Sequence, residues 1–144
     1  MKNLKTISFS NQIKSTKEHI WDVLWNPKTY EEWTRVFMEG SHYNGELKQG
    51  KVIQFLGKDG GGMSSIIEKM IENEQMVLSH QKEIKNGVET DSLWQGAKEI
   101  YYLKKASDTT TELQVIMDIT QDMEDYFNKT FPKALAIVKQ ISEQ

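Results

Sequence analysis

Hydrophobic positions along this 144-residue chain change period once. Up to about Ile119 they recur mostly at every second residue. From Asp122 to Gln144 they follow a helical spacing instead: Phe127, Phe131, Leu135, Val138 and Ile141 stand four, four, three and three residues apart, with Ala134 beside them. That spacing predicts one apolar stripe on an amphipathic helix. Asp122, Glu124, Lys129, Lys133, Lys139 and Gln140 fall on the wetter side. Burial of each large stripe residue contributes roughly 1.5–3 kcal/mol. Ordering about twenty residues costs on the order of 30 kcal/mol. The helix must therefore lie on something broad and apolar.

The preceding segments supply it. Lys5 to Lys14 alternates, with Ile7, Phe9 and Ile13 on one face and Asn11 interrupting that face. Ser15 and Glu18 have capping-box spacing, which predicts a short helix running to Trp25. Asn26-Pro27 stops it, because the residue before proline avoids helical geometry. A second short helical turn is predicted over Thr29 to Trp33. Strands are then predicted over Val36–Tyr43, Lys51–Leu56, Ser64–Ile71, Gln75–Lys85, Ala97–Lys104 and Glu112–Ile119. Asn44-Gly45, Lys58 to Gly62, Asn73-Glu74 and Asn86-Gly87 read as turns. Val88 to Leu93 reads as a polar connection. The expected fold class is α+β, in one domain over residues 1–144. A curved antiparallel sheet of about six to seven strands wraps around the long C-terminal helix, with two short helices after the first strand. Such a sheet leaves a gap beneath the helix unless side chains fill it.

Composition narrows the function. There is no cysteine, hence no disulfide, thiolate metal site or cysteine nucleophile. With 18 basic and 21 acidic residues the net charge is −3, which argues against a nucleic-acid partner. No apolar run is long enough to span a membrane. The start, Met1-Lys2-Asn3-Leu4-Lys5, lacks the apolar core of a signal peptide. The expectation is a cytoplasmic protein, in which the sequon Asn128-Lys129-Thr130 has no role.

Several stretches, taken in order, resemble the START-like, or SRPBCC, superfamily. They are Ile20-Trp21-Asp22-Val23-Leu24 ahead of Asn26-Pro27, then Trp33, the Gly50 turn before Phe55, and Leu78 with His80. The tract Trp94-x-Gly96-x-x-Glu99-x-x-x-Leu103 and then Thr111-x-Leu113-x-Val115 complete the set. The likeness is greatest to the branch related to the C-terminal domain of activators of the 90-kDa heat-shock-protein ATPase. Phe131-Pro132 departs from that branch, where a tryptophan is expected. The resemblance implies a helix-grip fold with a cavity between sheet and long helix, entered near the short helices and hairpin loops. It also implies two modes of action: holding apolar molecules in the cavity, or contacting a chaperone through the surface.

Candidate residues follow from pattern and from resemblance together. Small-molecule pockets are mostly apolar and aromatic, with a few placed polar groups. Trp33, Phe37, Phe55, Trp94 and Tyr101, with Met117, Phe127 and Phe131, are the expected cavity lining, although core and cavity wall look alike in sequence. His80 shares a face with Met76, Leu78 and Ile84. It can meet a ligand there, though a buried histidine satisfied by a strand hydroxyl is the commoner arrangement. Glu99 shares the parity of Ala97 and Tyr101, which aims it inward, whereas Asp118 alternates away from Met117 and Ile119. Exposure is the commoner fate of a strand carboxylate. His19 and His42 lie in other elements, so no metal site is expected. Asp59-Gly60-Gly61-Gly62 lacks the helix, lysine and hydroxyl that a phosphate loop needs. No nucleophile-elbow motif or dinucleotide fingerprint is present.

The leading expectation is a non-catalytic binding protein, without cofactor or metal, that holds an apolar small molecule between sheet and C-terminal helix. The alternatives are a chaperone-associated regulator and, with less support, a small cyclase- or hydrolase-like enzyme using His80 or Glu99. Either a monomer or a homodimer fits the pattern.

Overall fold

A computed structural model describes residues 4–144; the Met1-Lys2-Asn3 part of the N-terminal reading lies outside them. The order is β1 (Leu4–Ile13), α1 (Lys17–Trp25), α2 (Pro27–Thr34), β2 (His42–Asn44), β3 (Val52–Leu56), β4 (Gly62–Ile71), β5 (Gln75–Lys85), β6 (Val88–Asp91), β7 (Lys98–Lys105), β8 (Thr111–Thr120) and, after a short 3₁₀ turn, α3 (Glu124–Ser142). The architecture is α+β. All strands pair antiparallel, in the spatial order β1-β8-β7-β5-β4-β3-β2, and β6 pairs with β5. Among the described residues the sheet has eight strands rather than six or seven.

Period-two patterning builds the sheet. β8 alternates without a break, burying Thr111, Leu113, Val115, Met117 and Ile119 while the residues between them are half-exposed. β1 pairs along its whole length with β8, and Asn11 interrupts its apolar face for a reason. Its amide Nδ2 donates to the Leu135 carbonyl of α3 at 3.1 Å, tying strand to helix. On α3, Phe131, Ala134, Leu135 and Val138 are buried, and Phe127 and Ile141 are half-buried. Pro132 lies inside the helix. Its ring nitrogen cannot donate to the carbonyl four residues back. The half after Pro132 is still well seated: Ala134 and Val138 are each 0% exposed.

The structure corrects several boundaries. Thr16, not Ser15, caps α1; its hydroxyl accepts from the His19 amide at 3.1 Å. Ser15 is held in the turn instead, its amide on the Ile13 carbonyl and its own carbonyl accepting from the Thr111 hydroxyl. Asn26 both ends α1 and caps α2, where its side chain accepts from the Lys28 amide at 3.0 Å. Pro27 takes the first helical position, whose amide has no intrahelical partner to lose. Most of the predicted Val36–Tyr43 strand is turn. The amides of Phe37 and Met38 reach back to the Thr34 carbonyl, and Gly40 adopts φ +74°, so only His42–Asn44 pairs with β3. Val88–Asp91, read as a connection, is β6; every residue in it is exposed, so no buried face marked it as a strand.

Candidate functional site

The concave side of the sheet, α2, the loop after α2, and the first half of α3 enclose a hollow of about 360 Å³. All nine residues singled out from the sequence, Trp33, Phe37, Phe55, His80, Trp94, Tyr101, Met117, Phe127 and Phe131, line it. Ring contacts set the wall. Tyr101 meets Trp25 edge-on at 5.0 Å and Trp33 at 6.3 Å between centroids. Tyr30 lies against Trp33 at 5.4 Å and against Tyr43 at 5.1 Å. Phe37 packs on Phe131 at 5.1 Å, and Phe131 stacks on Phe9 at 5.1 Å. The mouth is marked by exposed Met38, Met123 and Tyr126. The hairpin tip Gly57–Gly62 forms one lip. Its backbone is closed on itself: Gly57 donates to the Gly61 carbonyl at 2.8 Å, and the Gly61 amide donates to Asp59 Oδ1 at 2.8 Å. That leaves no phosphate cradle.

A chain of polar side chains runs across the floor. Ser65 Oγ is 2.6 Å from His80 Nδ1, and His80 Nε2 is 3.0 Å from Glu99 Oε1. The Tyr101 hydroxyl donates to the other carboxylate oxygen of Glu99. An ionised carboxylate only accepts, so Nε2 carries a proton toward Glu99. In the neutral imidazole Nδ1 then accepts from the Ser65 hydroxyl. A register shift between Ser64 and Ser65 in β4 sets Ser65 opposite His80, where it is 0% exposed. The loop carrying Trp94 is clamped to His80 as well: the His80 amide donates to the Ala97 carbonyl at 2.8 Å, and the Gly96 amide donates to the His80 carbonyl at 2.7 Å. Trp94 thus meets the His80 ring at 6.2 Å.

Electrostatics follow from this geometry. Burial pushes the Glu99 carboxyl up, but the bond and charge of His80, and then the Tyr101 hydroxyl, outweigh it and the net shift is down. Burial, and then the charge and hydrogen bond of Glu99, push the Tyr101 hydroxyl far up. Burial, then Glu99, do the same to Tyr30. The floor therefore holds a carboxylate and two neutral phenols. Asp118, expected to point to solvent, is half-buried; it accepts from Thr6 Oγ1 at 2.7 Å and from the Lys98 amide at 3.1 Å, and also touches the hollow.

Ser65, His80 and Glu99 bond in the order of a hydrolytic triad, but the geometry does not suit one. A nucleophile must face the substrate, and Ser65 is fully buried and absent from the wall of the hollow, which Glu99 and His80 reach. The serine holds the histidine, which holds the carboxylate. Sequence reading missed Ser65, whose position depends on the register shift. It also missed Trp25 and Tyr30 as wall residues; both sit on the buried stripes of α1 and α2. His19 and His42 do not join the floor; His42 Nδ1 lies on the Gly40 carbonyl at 2.8 Å. Among the described residues no three His, Cys, Asp or Glu side chains converge as metal ligands, and no helix is long and apolar enough to cross a membrane.

Solved structures share this architecture. The Aha1 dimer from Colwellia psychrerythraea superposes with a TM-score of 0.74, at 19% identity over 96% of each chain. The fold is the helix grip. Protein MLL2253 from Mesorhizobium loti matches with a TM-score of 0.72, at 16% identity over 94% of this chain and 95% of its own. Protein CV1439 from Chromobacterium violaceum matches with a TM-score of 0.71, at 13% identity over 96% and 97%. No protein-family model matches the sequence of this helix-grip chain, and no curated protein matches it. These likenesses are likenesses of fold, the one implied by the resemblance to START-like sequences.

Proposed function

We propose that this helix-grip protein binds an apolar small molecule in the hollow between sheet and α3, without catalysis. The observation that carries the reading is the convergence of side chains from α2, β3, β5, β7, β8 and α3 on one hollow of about 360 Å³. Its walls are mostly aromatic and methionine side chains, the lining typical of small-molecule sites. Its volume is at the lower end of the range for such sites, roughly 300–1,000 Å³. The buried serine argues against a hydrolase.

The test is titration with N-phenyl-1-naphthylamine, a neutral dye that brightens in apolar surroundings. The wild-type protein brightens it saturably. Met117 lines the floor and is 6% exposed, so Met117→Trp places a large ring in the space a guest would fill. The expected result is loss of dye binding with native secondary structure retained by circular dichroism. A folded Met117→Trp variant that binds the dye as tightly as wild type sinks the assignment of the hollow as the site.

A further inference from the structure

The wall of the hollow is apolar, but its charge is one-sided. Among the described residues no lysine or arginine lines it, whereas Glu99 and Asp118 do. The nearby Lys98 is engaged elsewhere, with Nζ 2.9 Å from Glu68 Oε2. Asp118 is occupied by Thr6 and the Lys98 amide. Glu99 is the carboxylate placed to act. Its side chain is 14% exposed, and it stands on the inward parity of β7 between Ala97 and Tyr101. His80 uses one acceptor site on one carboxylate oxygen and Tyr101 uses one on the other. A carboxylate offers about four such sites, so both oxygens keep accepting capacity.

His80 does not have to neutralise it. With Ser65 donating to Nδ1, both imidazole bonds are made by the uncharged ring. In that state the floor holds a carboxylate with no lysine or arginine on the wall beside it. Burying such a charge is costly unless it is paired. Tyr101, which bonds this carboxylate, is packed in turn against the rings of Trp25 and Trp33, and Tyr30 lies against Trp33 on the same wall. Aromatic rings attract a cation by their quadrupole, most strongly when both are desolvated.

We propose that the guest of this hollow is a cationic amphiphile: an apolar body against the aromatic walls and a protonated amine directed at Glu99. The inference rests on the binding reading above and names the ligand class for the same site. Glu99 pairs with the ammonium group by a charge-assisted hydrogen bond, and His80 and Ser65 are positioning residues that hold the carboxylate in place.

Three probes of one shape test it: 4-phenylbutylamine, 4-phenylbutanol and 4-phenylbutyrate, titrated at neutral pH by calorimetry and by displacement of N-phenyl-1-naphthylamine. The amine is expected to bind at least about tenfold more tightly than the alcohol, equivalent to about 1.4 kcal/mol, and the carboxylate more weakly than both. Glu99→Gln keeps a polar group of the same shape and removes the charge. It should bring the amine down to the level of the alcohol. Should Glu99→Gln not fold, the ranking of the three probes on wild-type protein decides alone. If the dye binds and the alcohol or the carboxylate matches the amine, the cationic inference is overturned while the small-molecule reading stands. If neither the dye nor any probe binds, both fall.

Discussion

Replacing His80 with leucine tests the polar floor most directly. The substitution removes two partners at once. Ser65 Oγ, in a residue 0% exposed, loses the ring nitrogen 2.6 Å away. A buried hydroxyl left unsatisfied costs about 1–3 kcal/mol. Glu99 loses the donor 3.0 Å away, a hydrogen bond to a charged group, with a net contribution of about 1.5–3 kcal/mol. The two losses share one side chain and are not strictly additive. The expected total is about 3–5 kcal/mol. The assay is urea unfolding followed by tryptophan fluorescence, since Trp94 and Trp33 lie near the floor.

The pH dependence separates this cause from a simple packing defect. In wild type the Glu99 carboxyl is held below its ordinary value. Its stabilisation is therefore fully present above the unfolded carboxyl value of about 4.3. It is lost as pH falls through the lower folded value. In His80→Leu the burial of Glu99 persists without the imidazole, and burial alone raises a carboxyl. The variant's deficit is thus expected to be largest near neutral pH and to shrink as acid neutralises Glu99. The groups facing that carboxylate are His80 from β5, Tyr101 from β7 and, through space, Tyr30 from α2. A second variant, His80→Leu with Glu99→Leu and Ser65→Ala, removes all three polar partners together and should recover part of the loss. A single-variant cost below about 1 kcal/mol, or a deficit independent of pH, would refute the claim that the chain is one coupled unit.

Two further expectations follow from local geometry. Thr16→Ala should destabilise the protein by about 1 kcal/mol in thermal unfolding, because the Thr16 hydroxyl caps α1; Ser15→Ala should be close to neutral, and the opposite ranking would restore Ser15 as the cap. A Cβ added at Gly62 would stand 1.8 Å from the Phe55 carbonyl oxygen, so Gly62→Ala must displace β3 from β4. Its expected cost is about 1–3 kcal/mol, and an unchanged melting temperature would show that the hairpin lip gives way freely.

Periodicity was most legible where one face is buried and the other wet. β8 and the stripe of α3 are such cases, and they define the two layers. It failed where that contrast is absent: β6 has no buried residue, and Val36–Gly40 has apolar residues that pack from a turn. The aromatics that reach the hollow were nameable because large rings at element ends have few other places to go. The polar floor was only partly legible. The inward parity of Glu99 was visible from Ala97 and Tyr101, and a strand hydroxyl was an expected partner for His80. Which hydroxyl it would be depends on the register shift at Ser64/Ser65, a departure from strict alternation that no period reveals. Asp118 keeps its outward parity on β8 and still touches the hollow, which alternation alone does not reveal.

Pro132 has a consequence for time rather than for structure. With no amide proton to donate, it leaves a missing rung in the ladder of α3. Below that rung Ala134, Leu135 and Val138 are locked into the core; above it Tyr126 is exposed and Phe127 only half-buried. Phe131 is anchored on Phe9 and Phe37, whereas the first turn ahead of it is held by the rings of Tyr126 and Phe127 on Phe37, the Lys5–Glu124 ion pair at 2.7 Å and the Tyr126 hydroxyl on the Phe37 carbonyl at 3.2 Å. Exposed ion pairs contribute little. The first turn of α3 can therefore fray while the remainder stays in place, and local opening of this kind costs far less than global unfolding. Opening at the mouth is thereby uncoupled from the lifetime of the folded state: the first turn of α3 can open and close many times before the protein unfolds once.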